Sequence, residues 1–473
     1  MSACLSLLAP IDQQGWKDEI VYQIFPRSYF DSNGDHIGDL TGIALKLPTI
    51  KQMGFTSILV NPIFKSRVYH NYFADDFFQV DPALGTNESF YRLVRKAHAL
   101  GMKVILDIET QYVADQHPWF AEPQFQNYVW KKGSAFYDLK INWWGGSKAK
   151  IAAINPDLPE VIEAGKNIFR FWTCPNGSLD SGVDGFRIDH MMDDLDNLHV
   201  KKNVLSNYWK PIIEATKQVR PGAIFLAEQS DWGTGSDCLG KAGVDKVFSF
   251  PTYFALRSMT AEKIKEAIFY PKIDLNRQFI FIENHDVERY ASFVSSNPNK
   301  LRLGAIINLT LPGTPIIYYG QELGMKGIQG KWNSDGNDIP VRLAYRWTEK
   351  VQSKGSANFY RNSGPWDQTG FVRDKDGISY QEEIKQPDSL LNFYTRLIQL
   401  RKSSPALSYG SLEQVTVGKK EILAYLRKKG SDWVMVLANF SDKLQVISVD
   451  TSQWKVSCPK SLEPWQAVIL RAK

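Results

Sequence analysis

The sequence predicts an α/β protein whose main unit is a (β/α)8 TIM barrel, and three observations support this fold class. Short apolar runs alternate with longer stretches of helical periodicity, which indicates a parallel sheet with helices outside it. Eight such units over roughly 380 residues fit a closed barrel with insertions. Several of the apolar runs end in an acidic residue, as expected where the ends of barrel strands line a site.

Eight apolar runs are the predicted strands: Ile20–Phe25, Ser57–Asn61, Lys103–Ile108, Val183–Ile188, Ala223–Ala227, Lys246–Phe250, Phe279–Ile282 and Pro315–Tyr318. Helical periodicity is clearest in Phe90–Leu100, Pro159–Trp172, Trp209–Gln218 and Leu301–Leu309. A doubly wound open sheet is the structural alternative. That fold normally carries a glycine-rich phosphate turn after its first strand, whereas Phe25-Pro26-Arg27-Ser28 stands at this place.

Two changes in composition divide the chain into domains. Between the third predicted strand and the helix near Pro159, the segment 111–154 is rich in Trp, Tyr, Asn and Gly. After Leu390–Arg401 the chain changes to short predicted strands with turns between them, at Ile422–Leu426, Trp433–Asn439, Gln445–Val449 and Ala467–Leu470. We therefore predict a barrel from residues 1–111 and 155–404, an inserted domain after strand 3 at 112–154, and a C-terminal antiparallel β-sandwich at 405–473.

Composition and charge exclude several classes of function. The 473 residues carry 56 basic and 51 acidic side chains, a net charge of +5, and these charges are interspersed. Without a basic run we expect no nucleic-acid partner. The four cysteines form no C-x-x-C pair, so zinc and dithiol chemistry are not indicated. No apolar run reaches the length of a membrane span, and we expect no transmembrane segment.

The first residues leave the cellular location open. Met1–Pro10 is either an ordinary N-terminal tail or a trimmed export signal, since Ser2-Ala3-Cys4 resembles the end of a bacterial lipoprotein signal. The segment lacks a charged n-region and a full h-region. We favour the export signal, and therefore a secreted or periplasmic protein over a cytoplasmic one. A lipid anchor is one form that this export could take. We expect the chain to act as a monomer.

Acidic residues stand at the ends of four predicted strands. These residues are Asp107, Asp189, Glu228 and Asp286. Period-2 geometry puts Arg187 on the same side of its strand as Asp189, and such a charged pair is costly on an apolar strand unless the charges face each other or a ligand. Each acid alone could simply cap the next helix. Together they predict one convergent site at the carboxyl ends of the barrel strands.

These segments resemble the α-amylase superfamily, glycoside hydrolase family 13. Gly185-Phe186-Arg187-Ile188-Asp189 is similar to its nucleophile strand, and Leu226-Ala227-Glu228-Gln229 to its acid/base strand. Glu283-Asn284-His285-Asp286 matches the segment of the third acid, and Val104-Ile105-Leu106-Asp107 the first signature region. The motifs keep the family's order and spacing, and the resemblance runs from about Trp16 to the end.

The resemblance implies a retaining glycoside hydrolase. Asp189 would be the nucleophile, Glu228 the acid/base, and Asp286 the residue that holds sugar hydroxyls and stabilises the distorted transition state. Arg187 would keep Asp189 ionised, because a neighbouring cation lowers a carboxylate pKa. Retaining enzymes hold their two carboxyl groups about 5–5.5 Å apart, and we predict this separation for Asp189 and Glu228.

The resemblance also implies a set of substrate contacts. Tyr72 matches the tyrosine that stacks under the sugar in the −1 subsite, where His285 would bind sugar hydroxyls. Tyr112 stands where the family usually has a histidine that contacts the 6-hydroxyl, so this subsite must differ. His190 belongs to the +1 and +2 side. Three further residues complete the expected substrate-binding set, namely Asp107, Arg187 and Asn284.

A second motif, residues 31–39, predicts a cation site. Oxygen-bearing side chains fall at its first, third, fifth and ninth positions, as in the first part of an EF-hand loop. Isolated strings of this kind are common, but oligo-1,6-glucosidase-like members carry the same arrangement after a segment similar to Tyr22–Tyr29. That resemblance implies structural Ca²⁺, with Mg²⁺ as the alternative, held by the side chains of Asp31, Asn33, Asp35 and Asp39 and the carbonyl of Ile37. Gln111 replaces the family's interdomain calcium ligand, so no second ion is expected.

We expect the enzyme to cleave α-1,4-glucosidic bonds in starch or maltooligosaccharides, as an α-amylase does. Residues 337–342 and 377–383 are similar to a subgroup between oligo-1,6-glucosidases and neopullulanases. The alternatives on the same site are an exo-acting α-glucosidase, a neopullulanase and an α-glucan transglycosylase. A non-catalytic carbohydrate-binding protein is a further alternative, but such proteins tend to lose catalytic acids, and this chain keeps all three.

Overall fold

The computed structural model describes residues 16–133, 135–136, 138–139, 141, 149–368, 370–449 and 458–471. Eight parallel strands close into a barrel in chain order, which confirms the predicted fold class and excludes the open sheet. The strands, here β1 to β8, are Val21–Ile24, Ser57–Val60, Lys103–Ile108, Gly185–Met191, Ile224–Gln229, Lys246–Phe248, Gln278–Ile280 and Thr314–Tyr318.

Eight longer helices surround the barrel. These helices, α1 to α8, are Leu40–Met53, Asn87–Ala99, Pro159–Thr173, Lys210–Val219, Phe250–Arg257, Ala261–Phe269, Pro298–Thr310 and Leu390–Lys402. Two of them, α5 and α6, follow β6 directly, whereas no long α-helix lies between β5 and β6 in this described part of the chain. Short helices lie at Pro118–Ala121, Tyr290–Phe293, Tyr380–Glu383 and Pro405–Tyr409. Within the described residues no helix is both long enough and apolar enough to span a bilayer.

Smaller sheets lie outside the barrel. The inserted segment after β3 contains an antiparallel sheet of Tyr112–Ala114, Ile151–Ala153 and Asp138–Leu139, and a hairpin of Lys131–Lys132 with Ala135–Phe136. A further pair, Phe64–Lys65 and Asp76–Val80, follows β2. At the C-terminal end, four antiparallel strands form one sheet with a separate two-stranded pair, at Ser411–Gln414, Ile422–Lys429, Asp432–Asn439 and Ala467–Arg471, and at Gln445–Val446 and Ser461–Leu462.

The register of β3, β4 and β5 places the charged residues of the site side by side. Arg187 on β4 pairs with Asp107 on β3 and with Leu226 on β5. The strands approach closely at Gly185, where a Cβ atom would lie 2.3 Å from the carbonyl oxygen of Ile224. Only glycine tolerates this approach. Glycine here allows β4 and β5 to pair in the register that brings Arg187 toward the acid at the end of β5.

Candidate active site

Arg187 lies at the centre of a buried cluster of carboxylates. Its side chain is 1% exposed. Nη1 lies 2.7 Å from Asp107 Oδ1 and 2.5 Å from Asp189 Oδ1, and Nη2 lies 2.5 Å from Glu228 Oε2. Buried charges need such partners, because removal from water is otherwise costly. One guanidinium thus holds the acids of three neighbouring strands together.

Asp189 faces a cavity because β4 is irregular at its end. The pairing with β5 shifts register between Ile188 and Met191, and His190 has a positive φ of 48°. Bulges of this kind redirect side chains near active sites. The Asp189 side chain remains 20% exposed, whereas Arg187 beside it is enclosed. Asp189 is therefore open to a ligand on one side and bound to a cation on the other.

Glu228 is the last residue but one of β5, and its surroundings favour the protonated carboxyl. Burial raises the pKa of Glu228 well above its ordinary value, against the cationic Arg187. The negative charges of Asp189 and Asp286 raise this pKa further, and so does a hydrogen bond with Asp189. A carboxylic acid kept neutral in this way can donate a proton to a bound group.

Asp286 is positioned from two sides. Its Oδ1 accepts from Arg342 Nη2 at 2.8 Å, and its Oδ2 lies 3.0 Å from His285 Nε2. Its backbone N–H donates to Asn284 Oδ1 at 2.8 Å. Arg342 also donates to the His285 carbonyl at 2.9 Å and to Asp338 Oδ2 at 3.3 Å. Asn284 therefore orients Asp286 through the backbone rather than facing the cavity.

A hydrogen-bonded layer of Tyr72, Asp107 and His285 forms the floor of the site. Tyr72 Oη lies 2.7 Å from Asp107 Oδ2 and 2.5 Å from His285 Nε2. Gln23 Nε2 donates to His285 Nδ1 at 2.9 Å, so Nε2 carries the imidazole proton. Burial and the Arg342 and Arg187 cations hold the pKa of His285 well below its usual range. Burial raises the pKa of Asp107 to about 7, against the nearby Arg187.

Above this floor is an open cavity of about 390 Å³. Both predicted reactive acids and Asp286 line it, as do His190 near the end of β4 and residues from the loops after β2, β5 and β8. The lining residues are His70, Tyr72, Phe73, Asp189, His190, Glu228, Ser230, Trp232, Asp286, Asp335, Asp338 and Arg342. Clefts of about 300–1,000 Å³ hold small ligands, so this cavity is large enough for a hexose.

Tyr112 lies outside the cavity lining. Its hydroxyl donates to the Asp196 side chain, and its ring packs edge-on against Phe73 with centroids 6.3 Å apart. The neighbouring Gln111 donates from Nε2 to the His190 carbonyl at 2.9 Å and accepts from Trp209 Nε1 at 2.9 Å. These two residues tie the inserted segment to the turn that follows Asp189. A sugar contact by Tyr112 remains a prediction.

Seven cavity residues had no predicted role, and four of them, Asp335, Asp338, Arg342 and Trp232, come from long loops. The first three lie on or beside the 3₁₀ segment Asp335–Val341, far from any strand end, and Trp232 lies in the loop after β5. The motif containing Asp338 and Arg342 is visible in the sequence, but its partner Asp286 lies about fifty residues earlier. Only tertiary packing brings these groups together.

The loop 31–39 uses its oxygens for its own hydrogen bonds. Asp31 Oδ1 accepts from the N–H groups of Asn33 and Gly34, and Asp31 Oδ2 from that of His36. Asp39 caps α1 by accepting from Gly42 N at 2.7 Å. In the described parts of the chain no group of three or more His, Cys, Asp or Glu side chains is arranged to hold a metal. The hard oxygen donors nevertheless fit the chemistry of Ca²⁺.

A family model, sequence relatives and a solved structure all point to the same kind of protein. Residues 23–198 and 242–410 match the family model of the α-amylase catalytic domain. The chain is 29% identical over 470 residues to Alpha-amylase 3 of Dictyoglomus thermophilum, covering 92% of this chain and 87% of that protein. It is 30% identical to a probable alpha-glucosidase of Rhizobium meliloti, covering 93% and 91% respectively. The α-amylase structure from H. orenii superposes with a TM-score of 0.77 at 26% identity, covering 96% of this chain and 99% of that one.

Proposed function

The chain belongs to the α-amylase family of glycoside hydrolases, and from this premise we propose that it cleaves α-1,4-glucosidic bonds of starch or maltooligosaccharides with retention of configuration. One observation carries the proposal. Asp189 and Glu228 contact the same guanidinium and line the same cavity, in which Asp286 also lies. Two adjacent carboxyls, one ionised and one protonated, are what a double displacement requires.

In the proposed mechanism, each acid has one role. Glu228 donates its proton to the glycosidic oxygen while Asp189 attacks the anomeric carbon, so that the leaving sugar departs and a covalent glycosyl-enzyme forms. Glu228, now a carboxylate, then takes a proton from water, which attacks the same carbon and releases Asp189. Asp286, held by Arg342, binds hydroxyls of the sugar ring and stabilises it as it flattens.

Glu228→Gln is expected to lower kcat on maltooligosaccharides by about 10²–10⁴-fold, because the leaving oxygen loses its proton donor. Wild-type activity should fall as pH rises through the raised pKa of Glu228, since the acid form disappears, and the variant should lack this alkaline limb. The measurement is kcat against pH. α-Glucosyl fluoride is the control substrate, because fluoride leaves without a proton, and its kcat/KM should fall less than that of maltooligosaccharides. Equal losses of kcat/KM on both substrates would remove Glu228 from the acid role.

Endo and exo cleavage are both candidates, since the relatives include an α-amylase and a probable α-glucosidase. We favour endo cleavage because the cavity is open and lined from several loops. Digestion of maltoheptaose, followed over time by chromatography, separates the candidates. Mixed short oligomers support endo action. Glucose as the only product would indicate an exo-acting α-glucosidase. Products longer than the substrate would indicate a transglycosylase. Pullulan as a second substrate tests for a neopullulanase.

We also propose that loop 31–39 binds a structural Ca²⁺, or Mg²⁺ in its place. Chelation with EDTA should lower the Tm by at least about 2 °C, because an ion bound only to the folded state stabilises it. The test variant is Asp35→Asn, whose exposed side chain keeps an acceptor for the Ile37 N–H but loses its charge. This variant should respond less to EDTA. An unchanged wild-type Tm would show that the loop's own hydrogen bonds are sufficient.

A further inference from the structure

A row of three aromatic rings, Trp232, Phe250 and Phe254, leads from the catalytic cavity to the flank of the barrel. Ser230 and Trp232 line the cavity, close to Glu228. The Trp232 ring is parallel to that of Phe250, with centroids 5.0 Å apart and an interplanar angle of 9°. It also lies 6.4 Å from the Phe254 ring on α5. Trp232 is therefore fixed between the cavity and α5.

Gln229 fixes the backbone of this loop. Its Nε2 donates to the carbonyls of Gly233 and Phe248, at 2.7 and 2.8 Å. Trp232 adopts a positive φ of 50°, a conformation that is unfavourable for a bulky side chain unless its surroundings impose it. The position of Trp232 is therefore preset before any ligand binds, and a preset ring loses little freedom on binding.

A second cavity, of about 410 Å³, begins where this aromatic row ends. We call it the flank groove. Thr234, two residues after Trp232, lines one part of it, and Gln278 at the start of β7 lines another. Phe254 and Tyr270 also line the groove, and they are 49% and 75% exposed. Exposed aromatic rings in a concave surface usually mark a binding site rather than ordinary packing.

The chemistry of the flank groove suits a neutral polyhydroxylated chain. The aromatic rings offer flat apolar faces on which the C–H faces of sugars stack. Lys263, Glu266 and Lys272 line the same groove and supply hydrogen-bonding groups of both charge signs. A uniformly charged polymer would meet a like charge here, whereas hydroxyl groups can accept from the two lysines and donate to Glu266.

We propose that an α-glucan bound in the catalytic cavity extends over Trp232 and Phe254 into the flank groove. Glu228 protonates the oxygen of the leaving group, so the sugars next to the loop after β5 belong to the leaving-group side of the chain. The inference rests on the proposed function and adds a distant binding region for long substrates. The flank groove therefore improves affinity for amylose but not for a trisaccharide.

The test compares long and short substrates in the double variant Phe254→Ala/Tyr270→Ala. The KM for amylose should rise about three- to tenfold, while kcat/KM for maltotriose stays within about twofold. The control is Phe78→Ala, which removes a ring of similar exposure, 41%, from outside the groove. An unchanged KM for amylose in the double variant overturns the proposal. If the wild type hydrolyses neither substrate, the proposed function itself fails.

A binding measurement separates these two failures. In gels containing amylose, the Asp189→Asn protein should migrate more slowly than in gels without it. Adding Phe254→Ala/Tyr270→Ala to this background should remove part of the retardation, whereas adding Phe78→Ala should not. Equal retardation of all three proteins overturns the flank groove as a glucan site, whatever the catalytic activity of the wild type.

Discussion

Asp189→Asn is expected to lower kcat on maltooligosaccharides by at least about 10⁴-fold, because the amide cannot form the covalent intermediate. The amide has nearly the same shape as the carboxylate, and Arg187 keeps its contacts with Asp107 and Glu228. The fold and the binding of sugar should therefore survive. Initial rates on maltoheptaose measure the loss, and circular dichroism and the Tm confirm that the variant is folded.

The matched control for this variant is Asp193→Asn. Asp193 lies in the loop after β4 and pairs with Lys241 at 2.8 Å, away from the cavity lining. The same change in charge and shape at this position should leave kcat within about twofold, as is usual for partly exposed ion pairs. Turnover by Asp189→Asn at the wild-type rate would exclude Asp189 as the nucleophile. Absence of turnover in the wild type as well would favour a non-catalytic carbohydrate-binding protein.

Arg187→Met is expected to abolish activity and to destabilise the fold by about 3–5 kcal/mol at pH 7, because removing one partner of a buried ion pair leaves the other charge uncompensated. Here Asp107, Asp189 and Glu228 all lose their shared cation. The pKa values of Asp107 and Glu228, which Arg187 lowers, should then rise further. Protonation relieves the unpaired charge, so the destabilisation should shrink as the pH is lowered toward about 5.

Urea unfolding at pH 5 and pH 7 measures this effect, with Arg187→Lys as the control. Lysine keeps the positive charge but cannot place two nitrogens against Asp189 and Glu228 at once. It should therefore recover part of the stability and little of the activity. An unfolding free energy of Arg187→Met equal to that of the wild type at both pH values would show that Arg187 does not hold the cluster together.

The barrel was predictable from the sequence because each strand contains a short, largely buried apolar run. For β3 the predicted bounds, Lys103–Ile108, are those observed. At β4 the prediction ended at Ile188, whereas the strand continues irregularly to Met191. No local signal marks this extension, because it depends on pairing with Gln229 of β5. It is also what turns Asp189 toward the cavity.

The cluster of carboxylates around Arg187 was predictable for a similar reason. Arg187 and Asp189 share a strand, and parallel pairing brings the neighbouring strand ends close together. Residues from long loops were not predictable, since Arg342 and Trp232 reach the cavity only through tertiary contacts. The contact of the Tyr112 hydroxyl with Asp196 was not predictable either, because it joins the inserted sheet to a turn about eighty residues later in the chain.

The loop 31–39 shows how far a local motif can be interpreted. The spacing of its oxygens predicted a tight turn around a cation, and the turn is present. The same oxygens bind N–H groups of the loop and cap α1, a role that the spacing alone does not distinguish from metal binding. Asx side chains commonly close turns in this way.

The most direct test of the account is to trap the covalent intermediate. Glu228→Gln protein incubated with a 5-fluoro-α-glucosyl fluoride should accumulate a glycosyl-enzyme, because fluoride leaves without an acid while the deactivated sugar is released slowly. Mass spectrometry of the digested protein should find the added sugar on the peptide that contains Asp189. A sugar on any other residue, or an unmodified protein that releases product of inverted configuration, would contradict the double displacement at Asp189.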